Sequence, residues 1–175
     1  MTPANAHILV SAADSSAWIR IIGRANFSSS VDFKLLVQEL QHTGHQQFAL
    51  DLTECALMDS TFLGVLAGFA TRLNTANSDD AALAIELLNA NTRVTELLEN
   101  LGVDHLFRIV NGPPYAPAAP TVEALTHDRP DAVALARTSL EAHETLMAIE
   151  PANIPKFKDV AQFLAEDLKK AKPSA

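Results

Sequence analysis

The sequence predicts an α/β fold: one layered domain with a mixed sheet of four to five strands and packed helices, followed by a C-terminal helical hairpin. Three observations carry this. From residue 6 to about residue 111 the apolar residues switch repeatedly between a period near two and a period near 3.6. The stretch "NGPPYAPAAP" then places four prolines in ten residues, which resists both helix and sheet. Beyond it only the helical period remains. The expected units are a domain over 1–111, a proline-rich linker over 112–120 and a helical extension over 121–175.

"HILVSAA" and "AWIRIIGRANF" read as two strands joined by the turn-prone "DSS", a hairpin whose second run is expected to stop at Gly23. "SSSVDFKLLVQELQHTG" follows as a helix with Ser30 as N-cap, Phe33, Leu36, Val37 and Leu40 on one face, and Gly44 as the stop. "QQFALDL" alternates as a strand. A helix from Ser60 to Asn74 comes next, then a loop "NTANSDD" and a strand "ALAIELL". Asn91 is placed to cap "TRVTELLENLG", which ends at Gly102, and "HLFRIV" supplies a last strand. In the extension, Pro130 suits a first helical turn, and Val133, Ala136, Leu140, His143 and Met147 are expected to share a face. After "EPANIP", a second helix spaces Ile154, Phe157, Ala161, Leu164 and Leu168 by threes and fours and ends among Lys169, Lys170 and Lys172. Such a hairpin is too small to fold alone. It must dock on the domain, on a second copy or on a partner.

At 175 residues, with 48% hydrophobic and 19% charged residues, the chain suits a globular domain with an appendage, and its formal charge of -8 gives no footprint for nucleic acid or an anionic membrane. The lone Cys55 permits no internal disulfide and reads as a small strand-end residue. With no signal-like segment and no apolar run long enough to span a bilayer, a cytoplasmic protein is expected. His42 and His45 lack neighbouring ligands, so no metal is expected, and no glycine-rich phosphate loop calls for a cofactor. Gly64 and Gly68, a G-x-x-x-G in a soluble helix, point to close helix-to-sheet packing. His143 reads as a packed or interface histidine. An enzymatic alternative joins Ser60, Asp59 and a distant histidine, but "MDSTF" lacks the glycines of a nucleophile elbow, so no enzyme is expected.

What remains is the strand-to-helix junction in "FALDLTECALMDSTFLGVLAGFATRL", Phe48 to Leu73. Two hydroxyls, Ser60 and Thr61, follow Asp59 at the start of a nearly charge-free helix. By local sequence Ser60 is a helix cap. The segment also resembles the signature of STAS domains, the fold of anti-sigma factor antagonists and of the cytoplasmic ends of sulphate transporters. Asp59, Ser60, Thr61, Leu63 and Gly64 match the antagonist motif D-S-[ST]-G-L-G in order, "IRIIGRANF" resembles the second strand, and "NTRVTELLENLGVDHLFRI" the closing helix and strand. Two positions depart from the pattern: Phe62 replaces the motif's glycine, and Asn26 replaces the acidic residue after the second strand.

The resemblance implies a non-enzymatic regulatory protein working by phosphorylation-controlled partner switching. Ser60 is then the phosphoacceptor, with Thr61 as second choice, and Asp59, Thr61, Phe62, Val65 and Asn26 form the partner-binding surface. The implied partner is a serine kinase and anti-sigma factor of the histidine-kinase-like ATPase type, to which ATP belongs. A phosphate at a helix N-terminus suits the folded domain, while its charge of about -1.5 to -2 opposes burial against a partner. The alternative is a STAS-fold scaffold or oligomerisation module that is not phosphorylated, with a homodimer through the C-terminal helices.

Overall fold

The computed structural model describes residues 6–76, 83–113, 117, 119–124 and 131–171. The first two strands, β1 (His7–Ala13) and β2 (Ser16–Ala25), pair antiparallel around a tight turn in which Asp14 takes a left-handed conformation, φ 55°. Gly23 does not end β2 as expected. With φ 96° it makes a bulge, after which β2 leaves one parallel neighbour, β3 (Gln47–Asp51), for another, β4 (Cys55–Met58). Beyond β3 come β5 (Ile85–Leu88) and β6 (Arg108–Val110), both parallel, and β7 (Val122–Glu123) pairs with the free edge of β1. The five expected strands are present. Two short ones, β4 and β7, extend the sheet, whose order is β6-β5-β3-β2-β1-β7 with β4 beside the end of β2.

One face of the sheet carries the core. Ala17, Phe48 and Ile85 form one row across β2, β3 and β5, and Ile19, Leu50 and Leu87 the next, all buried. Among the described residues, the α-helices of the domain are α1 (Phe27–His42), α2 (Ser60–Ala76) and α3 (Thr92–Asn100). The ring of Phe69 on α2 meets Phe48 edge-on at 4.8 Å, which seats α2 on this face. Both α1 and α3 end as expected. Gly44 and Gly102, at φ 98° and 67°, let the backbone turn so that the last helical carbonyls are satisfied by the N–H groups of Gly44 and His45, and of Gly102 and Val103. The start of α1 differs. Asn26, not Ser30, is the N-cap, accepting from Ser28 N and Ser29 N in a capping box closed by Ser29, while Ser30 is buried and bonds back to the Phe27 carbonyl.

The tail forms two 18-residue helices, α4 (Ala132–Ile149) and α5 (Ile154–Ala171), joined by a 3-10 turn at Pro151–Asn153. Asp131 caps α4; Pro130, the expected start, lies outside the described residues, as do Lys172 and the loop from residue 77 to 82. The hairpin docks through α4, whose buried side is Thr138, Ala142, His143 and Leu146 rather than the five-residue apolar face expected. The reason lies on α2. Gly64 and Gly68 turn toward α4, so the groove between them takes small residues, and the G-x-x-x-G serves helix-to-helix packing rather than helix-to-sheet packing. Lys34 on α1 pairs with Glu141 at 2.6 Å, and Asn153 Nδ2 donates to the carbonyls of Leu101 and Leu146, fastening the hairpin at both ends. Helix α5 packs on α4 and buries fully only Ala161.

Candidate functional site

Parallel pairing creates the site. Because Ala25 and Met58 stand side by side in β2 and β4, both strands end together and their helices begin together, which brings the N-termini of α1 and α2 next to each other. Asp59 lies between them. Its backbone N–H donates to the Ala25 carbonyl, one carboxylate oxygen accepts from Phe27 N at 2.6 Å and the other from Phe62 N at 2.9 Å. One carboxylate therefore satisfies a first-turn donor of each helix, where the helix dipoles favour negative charge. Burial nonetheless pushes the Asp59 carboxyl above its ordinary value, opposed by the hydrogen bonds from Phe62 and Phe27 and by attraction to His143.

Asp59, not Ser60, caps α2. The Ser60 hydroxyl instead meets the tail: Oγ lies 3.0 Å from His143 Nε2. His143 Nδ1 is 2.7 Å from the Ser139 carbonyl, which can only accept, so Nδ1 carries the proton and in the neutral ring Nε2 accepts from Ser60. Burial holds this imidazole below its ordinary value, opposed by the bond to Ser139 and by Asp59, so the neutral form is the one expected here. The neighbouring hydroxyl does likewise: Thr61 Oγ1 lies 3.1 Å from Ser139 Oγ, and Thr61 is buried.

Other residues expected at the partner surface are placed differently. Phe62 is fully buried and stacked on Phe33 with ring centroids 4.6 Å apart, so it is a core side chain in the position of the motif's glycine. Val65 is buried too, beside α4. Asn26 stands at the site but as the α1 cap. What lies open beside Ser60 is an apolar groove of about 540 Å³, walled by Phe27, Leu135, Phe157, Val160 and Leu164, with Ser60 and His143 at its polar end. Phe27 and Val160 are 49% and 40% exposed. The groove depends on α4 and α5, so a reading of the domain motif alone had no means of finding it. Ser139 and His143 join the site across 78 and 83 residues of sequence.

The Ser60–His143 contact is not a hydrolase triad. The far nitrogen of the imidazole goes to a backbone carbonyl, and both Asp59 oxygens are committed to helix N–H groups. Cys55, buried at the start of β4, has its thiol pushed up to about 11 by burial, which leaves it protonated and unreactive at neutral pH. Among the described residues no group of three His, Cys, Asp or Glu side chains is placed to hold a metal ion, and no helix is long and apolar enough to cross a membrane.

A family model described as "Mlab, STAS domain" matches residues 8–110, from β1 to β6. No curated protein matches the chain. Among solved structures, an anti-sigma factor antagonist from Mycobacterium paratuberculosis superposes with a TM-score of 0.52 at 13% identity, covering 62% of this chain and 89% of that one. The anti-sigma factor antagonist SpoIIAA in its unphosphorylated form gives 0.50 at 14% identity, covering 59% and 87%. A putative anti-sigma factor antagonist from Thermotoga maritima gives 0.48 at 19% identity, covering 59% and 85%. For the first two, at these identities, the likeness is one of fold; the family match ends at residue 110, before the α4–α5 hairpin.

Proposed function

The chain belongs to the STAS family, and from that premise we propose that it is a non-enzymatic regulatory binding protein of the anti-sigma factor antagonist kind, working in the cytoplasm by phosphorylation-controlled partner switching. Ser60 is the phosphoacceptor. The observation that carries this reading is the position of its hydroxyl: in the first turn of α2, at the polar end of an open apolar groove, with the cap of α2 supplied by Asp59 instead. A phosphate there spares the cap of α2, meets the positive end of a helix, and puts about -1.5 to -2 units of charge at the mouth of the groove.

The partner is a serine kinase and anti-sigma factor of the histidine-kinase-like ATPase type, bound while Ser60 is unmodified. Its docking face would be the groove rim at Phe27 and Val160, which takes the place of the buried Phe62 and Val65. Placing the phosphate's charge against a docked apolar surface carries a desolvation cost, and about 2.7 kcal/mol already weakens binding about a hundredfold. One observation favours a second reading, an unphosphorylated scaffold: both motif hydroxyls are engaged by α4, through His143 and Ser139. A phosphopeptide map of the protein from its native cells, under growth and under stress, separates the two. A single phosphate on Ser60 that varies with condition supports the switch. A well-covered peptide that is never phosphorylated sinks it and leaves the scaffold.

A further inference from the structure

The hydroxyl assigned as phosphoacceptor is also a contact that holds the tail. Ser60 donates to His143 Nε2 at 3.0 Å, and one residue on, Thr61 and Ser139 share a hydrogen bond at 3.1 Å. One turn further along α2, Gly64 faces the backbone of Ala142 with no room for a side chain between them. The three contacts form one continuous seam between α2 and α4. At this end of the seam Ser60 and Thr61 border the groove together with Ser139 and His143.

We propose that the Ser60 hydroxyl is the latch that holds the α4–α5 hairpin on the domain, and that a phosphate on Ser60 releases the hairpin, so that docked α4 and phosphorylated Ser60 exclude each other. The inference rests on the reading of Ser60 as phosphoacceptor. In the modification, a bond forms between Ser60 Oγ and the γ-phosphorus of a nucleoside triphosphate supplied by the kinase. The bond to the departing nucleoside diphosphate breaks, and the hydroxyl proton passes to the kinase's base and on to water.

Three changes then act in one direction. The donor is gone, so phosphate oxygens and the bare Nε2 of His143 face each other as acceptors. A bulky tetrahedral group stands where two side chains meet at hydrogen-bond distance. Its charge sits beside Asp59 and against the apolar walls at Phe157 and Leu164. Release takes away the groove as well, because α4 and α5 form most of its walls. Phosphorylation thereby dismantles the partner's docking face besides charging its edge.

The test installs phosphoserine at position 60 during translation of the full chain and compares amide hydrogen exchange with the unmodified chain. A chain carrying phosphoserine at Ser15, exposed in the turn between β1 and β2, serves as control. The expected result is that amides of residues 138–149 exchange about tenfold faster or more with phosphate on Ser60, while β2, β3 and β5 keep their protection and the Ser15 control matches the unmodified chain. Equal or greater protection of α4 overturns the proposal, since the phosphate is then accommodated against His143. Loss of protection throughout the sheet overturns it too, because the domain and not the hairpin has then given way. Installing the phosphate makes the outcome independent of whether cells phosphorylate Ser60, so failure of the latch and failure of the phosphoacceptor assignment are read separately.

Discussion

Gly64 of α2 and Ala142 of α4 meet backbone to backbone: a Cβ on Gly64 would stand 2.5 Å from the Ala142 carbonyl oxygen and 2.6 Å from its Cβ. No flexible side chain is there to move aside. Gly64→Ala should therefore push α4 away, at a cost of about 1–3 kcal/mol to docking, while α2 itself gains helix propensity of about 1 kcal/mol. The expected outcome is faster proteolysis between the domain and the tail, with urea unfolding of the domain little changed. A variant as resistant as the parent would show that α4 is not held by this contact.

Phe62 gives a second prediction, because the structure moves it from the surface to the core. It is fully buried and stacked on Phe33, so Phe62→Ala should destabilise the domain by about 3–5 kcal/mol in denaturant unfolding. A loss below about 1 kcal/mol would fit a surface residue and contradict the packing described.

Much of this was readable locally. Alternation in "QQFALDL", the three-and-four spacing of Phe33, Val37 and Leu40, and the glycines at 44 and 102 depend on near neighbours and led to the right elements. The misreadings share another cause. In "NFSSS" four residues can cap a helix, and the choice of Asn26 over Ser30 depends on where β2 ends, which its pairing with β4 decides. Phe62 is assigned to the partner surface by the resemblance alone; in the fold Phe33 from a neighbouring helix covers it. The buried side of α4 is not written in hydropathy, because Ala142 is chosen for size against Gly64. His143 was legible as a packed histidine, but nothing within a window of sequence ties it to Ser60.

Asp59 joins two helices, and replacing it should weaken both starts. Asp59→Ala leaves Phe27 N and Phe62 N without their acceptor, so a loss of about 2 kcal/mol or more is expected. Asp59→Asn, which keeps an oxygen for one of the two, should fall between. Urea unfolding of the three proteins at one pH decides the order; an alanine variant as stable as the parent would remove Asp59 from the architecture of the site.

Stability should depend on pH through His143. Its folded value lies below the ordinary value of about 6.5, so between the two the unfolded chain binds more protons and stability falls as pH drops through that window. Asp59 acts oppositely and lower: its folded value is raised, so the folded chain takes up its proton first, and stabilisation from that uptake is lost as pH rises through the interval above the ordinary carboxylate value. From pH 7 downward the first effect is therefore loosening of α4. His143→Gln should flatten the dependence of the unfolding midpoint as pH falls below the ordinary imidazole value of about 6.5. Parallel curves for the two proteins would show that another group titrates there.

Ser60→Ala separates the roles gathered at one hydroxyl. Since Asp59 caps α2, the helix start should survive, and the structural cost is the hydrogen bond to His143, about 1 kcal/mol, with Nε2 left to find water from the groove. If Ser60 is the switch, the variant loses all phosphate incorporation by kinase-active extract of the native cells and stays bound to its partner under conditions that release the parent. Thr61→Ala, altering a buried hydroxyl, should leave incorporation intact. If the protein is an unphosphorylated scaffold, Ser60→Ala and Thr61→Ala should behave alike, each loosening α4 slightly by removing one bond of the seam and neither changing partner exchange. The difference between the two variants, measured side by side, is what assigns the site.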